Sequence, residues 1–183
     1  EASLTLLDDS ARSALLACAV FRGGATLEAL EAVLGDEVDV LGALTALRNQ
    51  SLLRLERDAG AYRYALAHSV RDLVVMRERD SPAWDTVRDR HAEYWAAASP
   101  EDPRLAGERD NLLAAAAWTR GRQAKLCAHL ALSASTPSLQ LPYGAAHDLV
   151  SDALAQADEL PDALRARLWF RRGTLRRFIG DFE

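Results

Sequence analysis

The chain has 183 residues, 49% apolar and 27% charged, with a formal net charge of −5, so it can build one domain or two small ones around a real hydrophobic core. Its longest apolar stretches, such as Leu112 to Trp118, fall far short of the roughly 20 residues that cross a bilayer, and no basic-then-apolar leader opens it; a cytoplasmic protein without membrane contact is expected. The acidic balance also disfavours general binding to phosphate backbones, which calls for clustered Lys and Arg.

Up to about Arg79 the hydrophobic period changes in a definite order. Asp8 or Asp9 can cap a helix over 9–21, with Ala11, Leu15, Leu16 and Ala19 at three-to-four spacing, and Arg22-Gly23-Gly24 ends it. Thr26 can cap a second helix that stops at Gly35-Asp36, and a third is predicted from Val38 to Asn49. The period then shifts from 3.6 to 2. Leu53 to Arg57 alternate, Asp58-Ala59-Gly60 supplies a turn, and Tyr62, Tyr64 and Leu66 return, which predicts a β-hairpin. A helix from about Ser69 to Arg79 completes the order of elements of a winged-helix domain over 1–80.

From Pro82 onward every segment reads as helical, so the fold class is mainly α. Trp84, Val87, His91, Tyr94 and Trp95 mark one helix, broken by the prolines of Ser99 to Pro103. Further helices are predicted at about Leu105–Arg120, Gln123–Ala134, Tyr143–Ala157 and Asp162–Ile179, with a loop at Ser135 to Pro142. Antiparallel helical hairpins with Ala at packing positions imply an α-solenoid over 81–183, similar to tetratricopeptide repeats and truncated at its C-terminal end. The apolar side of the last helix, Leu164, Leu168, Leu175 and Phe178, is then expected to be only partly covered. The first residue is Glu1 rather than Met, and a piece of a longer chain is expected.

Chemical motifs are sparse. Cys18 and Cys127 lie in apolar helical patterns with no second Cys or His at ligand spacing, which predicts small core side chains and neither a disulfide nor a zinc site. His91, His129 and His147 fall on three separate helices without a carboxylate or Cys at ligand spacing and read as structural or solvent-facing. No Gly-rich phosphate loop is present, and Lys125, the single lysine, sits inside a helical pattern, so no catalytic or cofactor site is expected within this chain. Direct DNA reading is disfavoured as well. The third helix carries Asp39 early and only Arg48 late, with Thr45, Asn49 and Gln50 as other polar groups, and residues 1–80 hold nine Arg against thirteen Asp and Glu, a net of −4. Arg54, Arg57 and Arg63 alternate with Glu56 and Asp58 around the hairpin and read as a solvated wing.

The stretch Tyr62-Arg63-Tyr64-Ala65-Leu66-Ala67-His68-Ser69-Val70-Arg71-Asp72-Leu73 resembles the strand-to-helix junction that closes the winged helix of signal-transduction ATPases with numerous domains, a class that includes bacterial transcriptional regulators of the LuxR and antibiotic-regulator types. Leu15 to Ala25, Leu41 to Leu55, Arg90-His91-Ala92 and Glu108-x-x-Asn111-Leu112 are similar to further landmarks of that class, and the last thirteen residues look like the first helix of a tetratricopeptide repeat. The resemblance implies an upstream ATPase domain holding ATP or ADP with Mg²⁺, a winged helix relaying nucleotide state, and repeats that bind a protein or small-molecule effector. Some relatives carry Met-His-Asp with a His on the ADP phosphates; here Leu66-Ala67-His68 align with it and the His is displaced by one position. His68, with Arg71 one turn along, is therefore the candidate contact with nucleotide or with the ATPase domain. The local alternatives are that His68 or Ser69 caps the helix and that Arg71 pairs with Asp72 or Glu78. The competing functional class is a DNA-binding winged-helix repressor with a helical effector or dimerisation domain.

Overall fold

The computed structural model describes residues 7–36, 38–58 and 61–180. It is mainly helical with one small two-stranded antiparallel sheet, and the chain clusters into two compact units, 1–91 and 92–183. Residues 81–91, beyond the domain limit expected at 80, belong to the first unit.

In the first unit, α1 (Asp9–Val20) starts where the Asp8 carboxylate accepts the Ala11 amide at 2.7 Å, and α2 (Leu27–Leu34) starts where Thr26 Oγ1 accepts the Ala29 amide at 3.2 Å. The third helix, α3 (Val40–Asn49), begins two residues later than expected because Asp39 is its cap, accepting the Gly42 amide at 3.0 Å. Each cap satisfies an amide that the first turn leaves without a partner. Ala11, Ala14, Leu15, Cys18, Leu30, Val33, Leu44 and Leu47 are buried, and α1 packs against α2 and α3. The hairpin is β1 (Leu53–Asp58) with β2 (Ala61–Leu66), in register Leu53 with Leu66, Leu55 with Tyr64 and Arg57 with Tyr62. The turn residues Ala59 and Gly60 lie outside the described residues. Next, α4 (His68–Glu78) packs on α1, and α5 (Pro82–Ala96) contributes buried Trp84, Val87 and His91 to this unit.

The second unit is built from sequential helix pairs. Asp102 caps a short 3₁₀ turn, Pro103–Leu105, and α6 (Arg109–Thr119) begins only after Gly107 at φ 84°, four residues later than the periodicity predicted. Then come α7 (Ala124–Ala134), a 3₁₀ turn at Pro137–Leu139 inside the expected loop, α8 (Tyr143–Leu154) and α9 (Asp162–Ile179). The end of α8 precedes the expected Ala157 because residues 157–159 tighten into a 3₁₀ turn. Neighbours in sequence are neighbours in space: α6 packs on α7, α7 on α8 and α8 on α9, with α7 also touching α9. Ala115, Ala116, Ala128, Ala131, Ala146 and Ala153 are buried along these seams, where small side chains let helix axes approach closely. On α9 the expected apolar side divides: Leu164, Leu168 and Leu175 are buried, while Phe178 is exposed.

Candidate functional site

The densest convergence of polar contacts in the first unit is the turn after α1. A helix leaves its last four carbonyls without intrahelical amides, and here the chain departs into extended backbone at Phe21 (φ −75°, ψ 137°) and then through Gly23 and Gly24 at φ 87° and 80°. Two elements, α4 and β2, supply the missing donors or hold the turn. Arg71, one turn into α4, donates Nε to the Ala19 carbonyl at 3.0 Å. Arg63, on β2, donates Nε to the Gly23 carbonyl at 3.2 Å and Nη2 to the Gly24 carbonyl at 2.8 Å. Ala25 and Tyr64 exchange both backbone hydrogen bonds, at 2.9 and 2.7 Å, forming an isolated bridge to the hairpin. Below the turn, buried Phe21 meets the edge of His91 with ring centroids 4.7 Å apart.

The two residues singled out by sequence are placed differently from each other. His68 is the first residue of α4 and is exposed; the cap position falls on Ala67, which has no side-chain acceptor, so neither His68 nor Ser69 caps the helix. Arg71 does not pair with Glu78. Glu78 is held instead by Arg12 at 2.8 Å, and the Arg71 guanidinium turns back to the end of α1. Burial lowers the pKa of Arg71 from its ordinary value, the Arg22 charge lowers it further, and Asp72 opposes both. A guanidinium remains charged under such a shift, so Arg71 presents a positive charge to the negative end of the α1 dipole. His68 and Arg71 share a helical face by spacing, and only Arg71 is engaged.

Sequence reasoning missed two anchors. Arg63, expected in a solvated wing, is half-buried and donates to the Gly23 and Gly24 carbonyls. Arg90 donates to the last carbonyls of α2, Val33 at 3.2 Å and Leu34 at 2.9 Å. The signal that existed was the unmet carbonyls at each predicted helix end; which arginine reaches them is a tertiary matter. In the second unit, Glu108 and Asn111, the acid and amide of the Glu-x-x-Asn stretch, are both buried and hydrogen-bonded to each other at the start of α6. That spacing of three puts both on one face of the helix end.

The two cysteines, His129 and His147 lie on α1, α7 and α8. Cys18 and Cys127 are free and buried; burial pushes the Cys18 thiol up to about 12 and raises that of Cys127. His129 is half-buried on α7 with its pKa lowered by burial and then by the Arg167 charge. His147 lies 3.5 Å from both Arg172 Nε and Asp148 Oδ1. Among the described residues no group of three or more His, Cys, Asp and Glu is placed to hold a metal ion, and no helix is long and apolar enough to cross a membrane. The exposed side of α3, with Thr45, Arg48 and Asn49, faces an open groove completed by Arg54, Leu55 and Glu56 of β1. Comparison with protein families, curated proteins and solved structures finds no match to the chain.

Proposed function

We propose that the chain is a regulatory and scaffolding segment of a bacterial signalling ATPase with numerous domains, a transcriptional regulator, in which a winged helix relays nucleotide state and tetratricopeptide-like repeats bind an effector or partner. The observation that carries this is the shared anchorage of the 19–25 turn: Arg63 of the hairpin and Arg71 of α4 hold one short segment at the end of α1. A push on the hairpin–α4 junction from an upstream domain is thereby delivered to α1, the helix against which α2, α3 and α4 all pack. Such a relay is a two-state latch, and an effector shifts it only through contacts that differ between the states. The order α1–α2–α3–β1–β2–α4, with the Ala25–Tyr64 bridge tying the hairpin to the α1–α2 turn, supports the winged-helix assignment; the alanine-lined pairing of α6 to α9 supports the repeats. ATP or ADP and Mg²⁺ belong to the upstream domain, and the chain carries no chemistry of its own in this reading.

The test uses the full-length protein. Arg71→Ala and Arg63→Ala are expected to raise the rate of ADP loss and basal signalling together, because both free the same turn, and His68→Ala follows them if its exposed imidazole meets the ATPase domain. Unchanged nucleotide retention and silence in both arginine variants, with folding intact by circular dichroism, overturns the relay.

The groove between α3 and β1 supports the competing DNA-binding function, since Arg48 and Arg54 line it with Asn49 and Thr45. Glu56 in the same groove and the net −4 of residues 1–80 oppose it. Fluorescence anisotropy with duplex DNA decides the point: a salt-sensitive complex tighter than about 10⁻⁷ M favours the repressor, against the roughly 10⁻⁴ to 10⁻⁶ M of non-specific binding.

A further inference from the structure

The last described helix is unlike the rest of the chain in charge. It carries six arginines against one aspartate, whereas residues 1–161 hold 24 Asp and Glu against 16 Arg and Lys. Helical geometry places Arg167, Phe170, Thr174 and Arg177 on one exposed stripe, with Arg171 and Phe178 at its border with buried Leu164, Leu168 and Leu175, where Phe178 stacks on Tyr143 with ring centroids 4.8 Å apart. Phe170 is 79% exposed and Phe178 61%, and Arg167 and Arg177 are exposed beside them. Two aromatic anchors eight residues apart, rimmed by arginines, have the make-up of an interaction surface: aromatic residues and Arg are the types enriched in interface cores and hot spots. Exposed aromatic side chains of this size, rimmed by charge, mark sites of association.

A complementary surface exists on the same chain. Residues 23–47 contain five acidic residues and no Arg or Lys. Glu28, Glu31, Asp36 and Asp39 are exposed there, around α2 and the start of α3, and Leu41 stands among them 55% exposed. We infer that α9 docks a second copy of this chain, its Phe170–Phe178 face receiving the acidic α2–α3 edge with Leu41 as the apolar contact. The two surfaces are different patches, so the contact is head-to-tail, and each docked pair leaves one free surface of each kind. The inference does not depend on the relay proposed above.

Sedimentation velocity of the 183-residue chain tests it. At about 0.1 M salt the average mass is expected to rise with concentration into the tens of micromolar, and to fall back towards the monomer at about 1 M, where the Debye length shrinks from about 10 Å to about 3 Å. Reversing either surface alone, Arg167→Glu with Arg171→Glu and Arg177→Glu, or Glu28→Arg with Glu31→Arg, is expected to weaken association more than tenfold. Mixing the two reversed chains restores it, because each then offers the charge that the other has lost. Neutral Arg→Gln and Glu→Gln versions repeat the comparison for any reversed chain that circular dichroism shows to be misfolded. A chain that stays monomeric throughout, association indifferent to the α2 reversal, or failure of the mixture to recover overturns the inference. So does a salt-sensitive complex of α9 with single-stranded oligonucleotide in the absence of self-association, which assigns the arginine and aromatic face to nucleic acid.

Discussion

Gly24→Ala, set beside Gly23→Ala, separates two costs that a turn glycine avoids. Both residues have positive φ, 87° at Gly23 and 80° at Gly24, where a Cβ-bearing residue is worse off by roughly 1–2 kcal/mol. Replacing Gly also restricts the unfolded chain and returns roughly 0.4–1 kcal/mol. For Gly23 that is the whole account, since a Cβ there meets nothing within 4 Å; the expected net loss is about 0.5–1 kcal/mol by the same two effects. At Gly24 an added Cβ falls 3.0 Å from the Tyr64 carbonyl oxygen and 3.2 Å from Ala65 Cβ. That oxygen accepts the Ala25 amide at 2.9 Å, so the backbone shift that relieves the contact stretches the bridge between turn and hairpin. Weakening that hydrogen bond adds about 1 kcal/mol, for a total near 2 kcal/mol. Urea denaturation followed by far-ultraviolet circular dichroism reads the loss, and hydrogen exchange at the Ala25 and Tyr64 amides shows whether the bridge is where it occurs. Equal destabilisation by the two substitutions, or unchanged exchange at Ala25 in Gly24→Ala, refutes the steric part of the reasoning.

Arg71→Met keeps most of the apolar stem but removes the donor to the Ala19 carbonyl, and is expected to cost about 1–2 kcal/mol in the same denaturation experiment; a change below about 0.3 kcal/mol counts against any anchoring role. His129 has a folded pKa below its ordinary 6.5, so as pH falls the unfolded chain takes up that proton first. Its contribution is whole above pH 6.5 and is lost as pH drops from there towards the lower folded value. His129→Gln is expected to flatten the fall in stability just below pH 6.5, and an unaltered slope contradicts the burial argument. Cys18 and Cys127 are expected to react with a thiol reagent at mildly alkaline pH at least a hundredfold more slowly in the folded chain than in urea; rapid native labelling of Cys18 refutes its placement in the core.

What the chain declares by itself is everything that rests on short-range physics. Asp8 and Thr26 cap α1 and α2 because a side-chain oxygen beside the first turn needs no distant partner. The change of period from Leu53 onward marks the hairpin because alternation is a local property of a half-buried strand. Apolar residues at helical spacing announce α7 and α9 to within a residue. Boundaries slipped where one side chain chose between neighbouring roles, as Asp39 did in capping α3, or where a 3₁₀ turn replaced a helix end, as at Pro103–Leu105 and Ala157–Glu159. The arginines were beyond local reasoning. Sequence shows that the ends of α1 and α2 need donors, but a guanidinium reaches any carbonyl that the fold brings near it, and only packing selects Arg71 for Ala19, Arg63 for Gly23 and Gly24, and Arg90 for Val33 and Leu34. The same holds for α9: its pattern names four apolar residues for one side, and only the depth to which α8 and α7 cover it decides that three leucines are buried while Phe178 stays at the surface.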